Sequence, residues 1–292
     1  MILNLQDLNP IEKQYYLQHV VAPRPVCFAS TVDKAGNVNL SPFSFFNMFS
    51  SNPPVVIFSP ARRVRDNTTK HTLQNVLEVP EVVINIVTFD VVQQTSLSSC
   101  DYPKGVDEFI KAGFTKEAAT MVTPPMVKEC KVKLECKVIE VKPLGSEGGA
   151  GNLVICEVLC MHLDDSLLNE NKKFDQTKLD LVARLGGDWY CRITKDNLFI
   201  VPKPNIKLGI GIDALPPSIK NSKILTGNHL GMLANVEMMP EQNESIENDD
   251  IKNTLVGCTV NEWEEEVHKL AAKFLNENKI EEAWQVLLMK NK

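Results

Sequence analysis

The sequence has no apolar run approaching the roughly 18 residues that a helix needs to cross a bilayer, so a membrane-spanning protein is not expected. It also has no excess of positive charge: 31 lysines and arginines stand against 37 aspartates and glutamates, a formal net charge of -6. A general nucleic-acid binder needs many uncompensated cations, so that class is excluded and any anion recognition must be local. The opening residues, MILNLQDLNP, hold neither a basic stretch nor a long apolar one, so no secretory leader is read there and a cytoplasmic protein is expected. Eight cysteines are scattered without a CxxC pair, which argues for reduced thiols rather than a disulfide framework. Cys156 and Cys160 lie on one face of an expected strand, but no second ligand pair is near them in the chain. They read as small buried hydrophobes, and no metal is expected.

Catalytic signatures are missing as well. GxxxxGK[ST], HExxH and GxSxG do not occur, and His19, His71, His162, His229 and His268 show no ligand spacing. GIGIDA at 209–214 has the glycine pattern of a dinucleotide turn, but Leu215-Pro216-Pro217 follows where a helix would have to begin. What remains is a globular composition of 292 residues, 43% hydrophobic and 23% charged, enough for one large domain or two small ones.

From Pro25 to Val141 the texture is β. The runs VCFASTV, NVNLSPFSFFN, PVVIF and EVVINIV are rich in β-branched and aromatic residues and bounded by turn residues. Asp33-Lys34-Ala35-Gly36 joins the first two as an antiparallel hairpin, with Gly36 free to take positive φ. A short helix is predicted over Thr69–Leu77, capped by Thr68 or Thr69 and closed before Pro80, and another over Asp90–Ser98. Two long runs, Lys131–Val141 and Asn152–Leu163, form a second hairpin about a glycine-bearing loop at 144–151. Antiparallel strands without alternating long helices predict a mainly β closed or split barrel. That domain is expected to extend over 1–204, followed by a 205–292 extension with an acidic stretch from Glu244 to Asp250. Trp263, Val267, Leu270, Ala271 and Phe274, then Ile280, Ala283, Trp284, Leu287 and Leu288, recur at helical spacing, so the chain ends in a helical hairpin expected to pack on the barrel or on a second subunit.

Two stretches carry chemistry. SPARRVRDNTTKHT at 59–72 gathers Arg62, Arg63, Arg65 and Lys70 with Thr68, Thr69 and Thr72 between a strand and a helix, donors suited to a phosphate. A solvated basic turn is the alternative. SPFSFFNMF at 41–49 sets the rings of Phe43, Phe45 and Phe46 beside Ser44 and Asn47, a mixture that fits a flat heteroaromatic ligand, although phenylalanines in such a run are often core.

APRPVCFAST (22–31), GNVNLSPFSFFN (36–47), TKHTLQN (69–75), VVINIVT (82–88), YPKGVDEF (102–109) and RLGGDWYCR (184–192), six short motifs in order, together resemble the flavin reductase-like FMN-binding split-barrel family, flavoredoxin-like flavoproteins included. The resemblance implies a homodimer of six-stranded antiparallel barrels, each holding FMN without a covalent link near the subunit interface. It implies that Ser41, Pro42, Phe43, Ser44, Phe45 and Asn47 line the ring and ribityl chain, that Arg62, Lys70 and Thr72 hold the phosphate, and that Asn85 lies near ring or chain. Arg24, Ser30 and Thr31 are further candidates on the first strand, and Tyr190 is placed to cover the pocket from the partner chain. Many relatives read Lys-Asp-Thr where this chain has Lys70-His71-Thr72, and the family's usual chain ends soon after the GGxxY region.

The chemistry implied is hydride transfer from NADH or NADPH to the flavin, which needs no protein nucleophile or base, so no catalytic side chain is expected. Two functions remain open. One is an NAD(P)H-dependent flavin oxidoreductase, with a separate monooxygenase or another redox protein as acceptor; the other is a non-enzymatic FMN electron carrier serving partner redox proteins.

Overall fold

The computed structural model describes residues 1–204, 207–242 and 259–289. By their internal contacts these fall into two units, Met1–Phe199 and Ile200–Lys292. The acidic stretch at 244–250 lies outside the described residues.

The first unit opens with helix α1, Pro10–Val20, whose start is fixed by local chemistry. Asn9 accepts the backbone N–H groups of Ile11 and Glu12, the Glu12 carboxylate accepts the Asn9 N–H, and Pro10 occupies the first helical position. Strands β1 (Arg24–Pro25), β2 (Cys27–Val32), β3 (Val38–Phe43), β4 (Phe46–Ser51) and β5 (Pro54–Phe58) follow, then helix α2 (His71–Glu78) and strand β6 (Glu81–Ile86). Helices α3 (Val92–Leu97) and α4 (Glu108–Ala112) and the short strands β7 (Lys116–Glu117) and β8 (Met126–Val127) lead to the long pair β9 (Val132–Pro143) and β10 (Asn152–Leu163). β11 (Val182–Arg184) and β12 (Tyr190–Arg192) close the unit, paired in the order β1-β11-β12.

The main sheet is antiparallel with the order β3-β2-β6-β9-β10-β5-β4. The run 37–47, expected as one strand, is broken: Ser44 and Phe45 leave the ladder, and its halves become the two outermost strands, β3 and β4. Two residues span only about 7 Å, so the opposite edges of this sheet must curl toward each other, which is the geometry of a split barrel. The six chain runs expected for the barrel therefore appear as seven ladder segments. The β2–β3 hairpin turns as anticipated, with Gly36 at φ +84 and its N–H on the Asp33 carbonyl.

Strand alternation sends two apolar sets to opposite faces of β2. Ala29, Phe58, Ile84, Leu134 and Val154 form one core with Leu73 and Val76 of α2. Phe28, Leu40, Val87, Phe109 and Val127 form a second core under α4 and β8. Helix α2 starts later than expected, with Lys70 at its N-cap and no side-chain cap. The threonines are occupied elsewhere: Thr68 bonds with Asp66 and Arg63, and the Thr69 hydroxyl accepts from Gln74.

The second unit is helical. α5 (Pro217–Lys220), α6 (Gly227–Ala234), α7 (Val260–Asn276) and α8 (Ile280–Leu287) share a core in which Leu215, Ile219 and Leu233 meet Val267, Leu270, Phe274 and Trp284. The Trp284 indole N–H donates to the Leu233 carbonyl at 3.2 Å. The terminal hairpin forms as its spacing predicted, with the turn residue Asn278 at φ 63, but its apolar stripe is covered by residues 215–234 of its own unit. No helix among the described residues is long and apolar enough to cross a membrane.

Candidate functional site

The cationic loop between β5 and α2 is shaped by its own hydrogen bonds. The Arg62 N–H donates to the Ala150 carbonyl at 2.8 Å and the Arg62 carbonyl accepts the Gly149 N–H at 3.0 Å, which pins the 144–151 loop beside it. Gly148 permits this approach, since a Cβ there would stand 3.0–3.1 Å from the backbone of Arg63 and Val64. The Arg62 guanidinium holds both the side-chain and backbone oxygens of Asn67 at 2.6 Å. Arg63 donates to Thr68, to the Thr69 carbonyl and to Asp101, and Arg65 pairs with Asp101 at 2.7 Å.

Lys70 differs from these three. It is half-buried at the head of α2, and its ammonium has no hydrogen-bond or ion-pair partner among the described residues. Burial lowers its pKa below the ordinary lysine value, helped by Arg63 and Arg65 and opposed by Asp101. Burial also lowers the His71 imidazole, with Arg63 and Lys104 acting in the same direction.

Arg62, Arg63 and Lys70 line a cleft of about 640 Å³ whose other wall is α1, through Lys13, Leu17 and Gln18. A second cleft, of about 610 Å³, is lined by Ser44, Phe45, Phe46, Asn47, Phe49 and Ile57. The two share Val21, Arg24 and Phe45, so a cationic end and an aromatic end meet at one ring. Arg24 is the clamp at this junction. It is 7% exposed and donates to the Gln18 and Val21 carbonyls at 2.6 and 2.7 Å, where the end of α1 presents unpaired acceptors, and to the Leu185 carbonyl at 2.8 Å. Its guanidinium also lies 5.9 Å from the Phe45 ring centroid.

Of the residues expected at the site, Arg24, Ser44, Phe45, Asn47, Arg62 and Lys70 thus stand along the two clefts. Ser41 and Pro42 line only a small crevice beside them, which shares Arg63 and Lys70 with the first cleft and adds His71 and Asp101. Five others turn inward, and their side chains are withdrawn from the site. Phe43 packs in the core 5.1 Å from the Phe58 ring. The fully buried Thr72 hydroxyl donates to Asn39 at 2.7 Å, so it offers a phosphate no side-chain donor. Asn85 ties β6 to β8 by accepting the Val127 N–H at 2.8 Å. Thr31 accepts from Asn75, and Ser30 is buried with an unpartnered hydroxyl. For the strand residues Ser30, Thr31 and Asn85 the reason is shared: where a strand is covered on both faces, a polar residue in its motif need not face the ligand. Tyr190 lines neither cleft, and its hydroxyl accepts from Arg184 at 2.7 Å.

Sequence reasoning missed the wall made by α1. The signal was present in Asn9-Pro10 with Glu12 three places on from Asn9, a helix-start pattern, but no apolar stripe on α1 drew attention to it.

A curled antiparallel sheet with a phosphate-like donor set beside an aromatic cleft defines the split-barrel class of flavin-binding proteins. The flavin reductase like domain matches residues 20–178, and the chain belongs to that family. It is 37% identical over 173 residues to an uncharacterized protein of Aquifex aeolicus, covering 59% of this chain and 86% of the relative. The structure is similar to nitrilotriacetate monooxygenase component B from Bacillus cereus, with a TM-score of 0.64 and 26% identity over 69% of this chain and 98% of that one. Flavoredoxin of Desulfovibrio vulgaris shares the fold at a TM-score of 0.53 and 19% identity, over 63% of this chain and 92% of that one. A flavin is the cofactor class the family implies. The chain's residues fit a phosphorylated one, because Lys70, whose ammonium has no hydrogen-bond or ion-pair partner among the described residues, lines the first cleft together with Arg62 and Arg63.

Proposed function

We propose that the protein binds FMN without a covalent link along these clefts and acts as an NAD(P)H-dependent flavin oxidoreductase. The observation that carries the reading is the half-buried Lys70 ammonium, without a hydrogen-bond or ion-pair partner among the described residues, at the cationic end of a cleft that runs on to Phe45. A half-buried cation whose counter-charge, Asp101, is already paired with Arg63 and Arg65 is costly in the free protein and is relieved by a phosphate dianion.

In this reading Lys70 and Arg63 neutralise the phosphate, while Phe45 and Phe46 cover apolar ring surface. β4 is an outermost strand, so its outward backbone N–H groups have no strand partner and serve as donors to the polar rim of the ring. Arg24 holds the end of α1 against β1 and so keeps the junction of the two clefts in shape. Bound FMN would supply the hydride and electron-transfer chemistry, and the chain's work is to bind, orient and leave access on the Asn47 side. The same reading takes the chain as a homodimer in which Tyr190 covers the partner's site. Light scattering at micromolar protein tests that, and a monomer would remove the dimer.

The deciding experiment is the visible spectrum of the purified protein, followed by anaerobic addition of NADH or NADPH. Bleaching of the flavin band within seconds is expected, after which a separate monooxygenase or another redox protein is sought as acceptor. A bound flavin that stays oxidised would replace this reading with the electron carrier, and absence of flavin uptake would refute both.

A further inference from the structure

Away from the clefts, the far end of β10 gathers three side chains that flavin binding does not use. A register shift between Val158 and Cys160 sets Cys160 directly across from Glu135 of β9, and His162 follows two residues on, on the same face. Glu135 is fully buried, and its carboxylate accepts the backbone N–H groups of Thr120, Met121 and Val122 at 2.8, 2.5 and 3.1 Å. The His162 Nε2 stands 2.5 Å from Glu135 Oε1 and 3.8 Å from Cys160 Sγ. All three ligand atoms lie within 4.8 Å of one another, and the His162 side chain remains 28% exposed.

Because Nε2 contacts both the carboxylate and the thiol, this is not a relay in which the two ring nitrogens hold different partners. We propose that it is a zinc-class metal site, with Cys160 Sγ, His162 Nε2 and one Glu135 oxygen as ligands and a fourth position open to solvent. The chemistry of the set argues for that ion. A thiolate with an imidazole disfavours calcium and magnesium, and three protein ligands with one open position is a common zinc arrangement. A dication balances the thiolate and the carboxylate and takes the place of the proton that the 2.5 Å His162–Glu135 contact implies.

Geometry is close to what coordination needs. Bonds of about 2.0–2.3 Å in a tetrahedron place ligand atoms about 3.5 Å apart. The Cys160–His162 separation is already within a few tenths of that, and the partly exposed His162 ring must withdraw about 1 Å from Glu135. The Thr120–Val122 N–H groups stay on the carboxylate and keep it aimed. Uptake of the ion releases two protons, that of the Cys160 thiol and that held between His162 Nε2 and Glu135, and leaves the ring protonated on Nδ1 alone. Leu153, at the other end of β10, lines the aromatic cleft, and Cys160 is seven residues further along, roughly 20 Å at about 3.3 Å per residue. The metal therefore clips the end of the β9–β10 hairpin to the loop at 120–122 and takes no direct part in flavin chemistry.

The test uses the full chain with whatever flavin it carries, dialysed against a chelator and then equilibrated with micromolar zinc chloride. Metal analysis is expected to find one zinc ion per chain more in the wild type than in Cys160→Ser or in His162→Gln. Cobalt(II), added in place of zinc, is expected to give a thiolate-to-cobalt charge-transfer band in the wild type that both variants lose. Equal zinc content in folded wild type and Cys160→Ser would assign the metal to other thiols, such as the exposed Cys100, and overturn the proposal. Lack of zinc uptake by the wild type, or cobalt uptake without a thiolate band, would overturn it as well. None of these readings depends on flavin, so they stand apart from the flavin experiment.

Discussion

Replacing Lys70 by methionine should move two properties in opposite directions. In the flavin-free protein the Lys70 ammonium is half-buried, has no hydrogen-bond or ion-pair partner among the described residues, and feels Asp101 against Arg63 and Arg65, so folding desolvates a charge with little return. Methionine keeps the length of the stem and removes that charge, so the variant should be as stable as the wild type or gain up to about 1 kcal/mol in urea melts. Against FMN the same change removes a charge-assisted hydrogen bond worth about 1.5–3 kcal/mol, or about 10- to 100-fold in affinity, and leaves riboflavin affinity within about twofold. Fluorescence titrations of the two ligands read this directly. The pH dependence has a definite sign. Because burial lowers the folded-state pKa, the folded free protein holds the Lys70 proton less tightly than the unfolded chain, whose value is the ordinary 10.5. Its stability should therefore rise with pH between the depressed value and 10.5, and the methionine variant should lose that contribution. Equal weakening of FMN and riboflavin, or a clear loss of stability without ligand, would refute this assignment of Lys70.

Arg24→Met should cost about 2–4 kcal/mol of stability, because three carbonyls lose a charged donor, and it should loosen α1; a change under about 0.5 kcal/mol would show that the clamp is inert. Glu135→Gln should cost about 2–4 kcal/mol at neutral pH, since an amide nitrogen would face backbone N–H groups that now find a carboxylate oxygen. Burial pushes the Glu135 carboxyl up, but the N–H groups of Thr120 and Met121 together with His162 outweigh it and hold the group below its ordinary value of 4.5. The stability it adds is thus present above 4.5 and lost as pH falls through the lower folded value, and acid titration by circular dichroism should show that loss reduced in the glutamine variant.

The strands, the two hairpins and the terminal helix pair were legible because each is set by local periodicity and turn chemistry. The cationic loop was legible for a similar reason: Arg62, Arg63 and Lys70 lie within nine consecutive residues and stay close together whatever the distant chain does. Side-chain direction was not legible at Thr72 or Asn85. Each sits in a motif that reads as ligand-binding, and each is turned inward by a partner distant in sequence, Asn39 for one and Val127 for the other. The start of α2 also escaped, since the choice among Thr68, Thr69 and Lys70 depended on where Arg63, Asp66 and Gln74 reach.

The sequence by itself determined a β-rich domain of the flavin reductase-like family, a local basic cluster and a helical end, because alternation, turn residues and charge spacing act over a few residues. Only the tertiary structure decided that the run 37–47 splits between the two edges of the sheet, that α1 walls the cleft, and that Cys160 and His162 meet Glu135 from 25 residues or more away. Those outcomes rest on strand register and on which face each strand buries, quantities fixed by pairing across the whole sheet and not by any short stretch of chain.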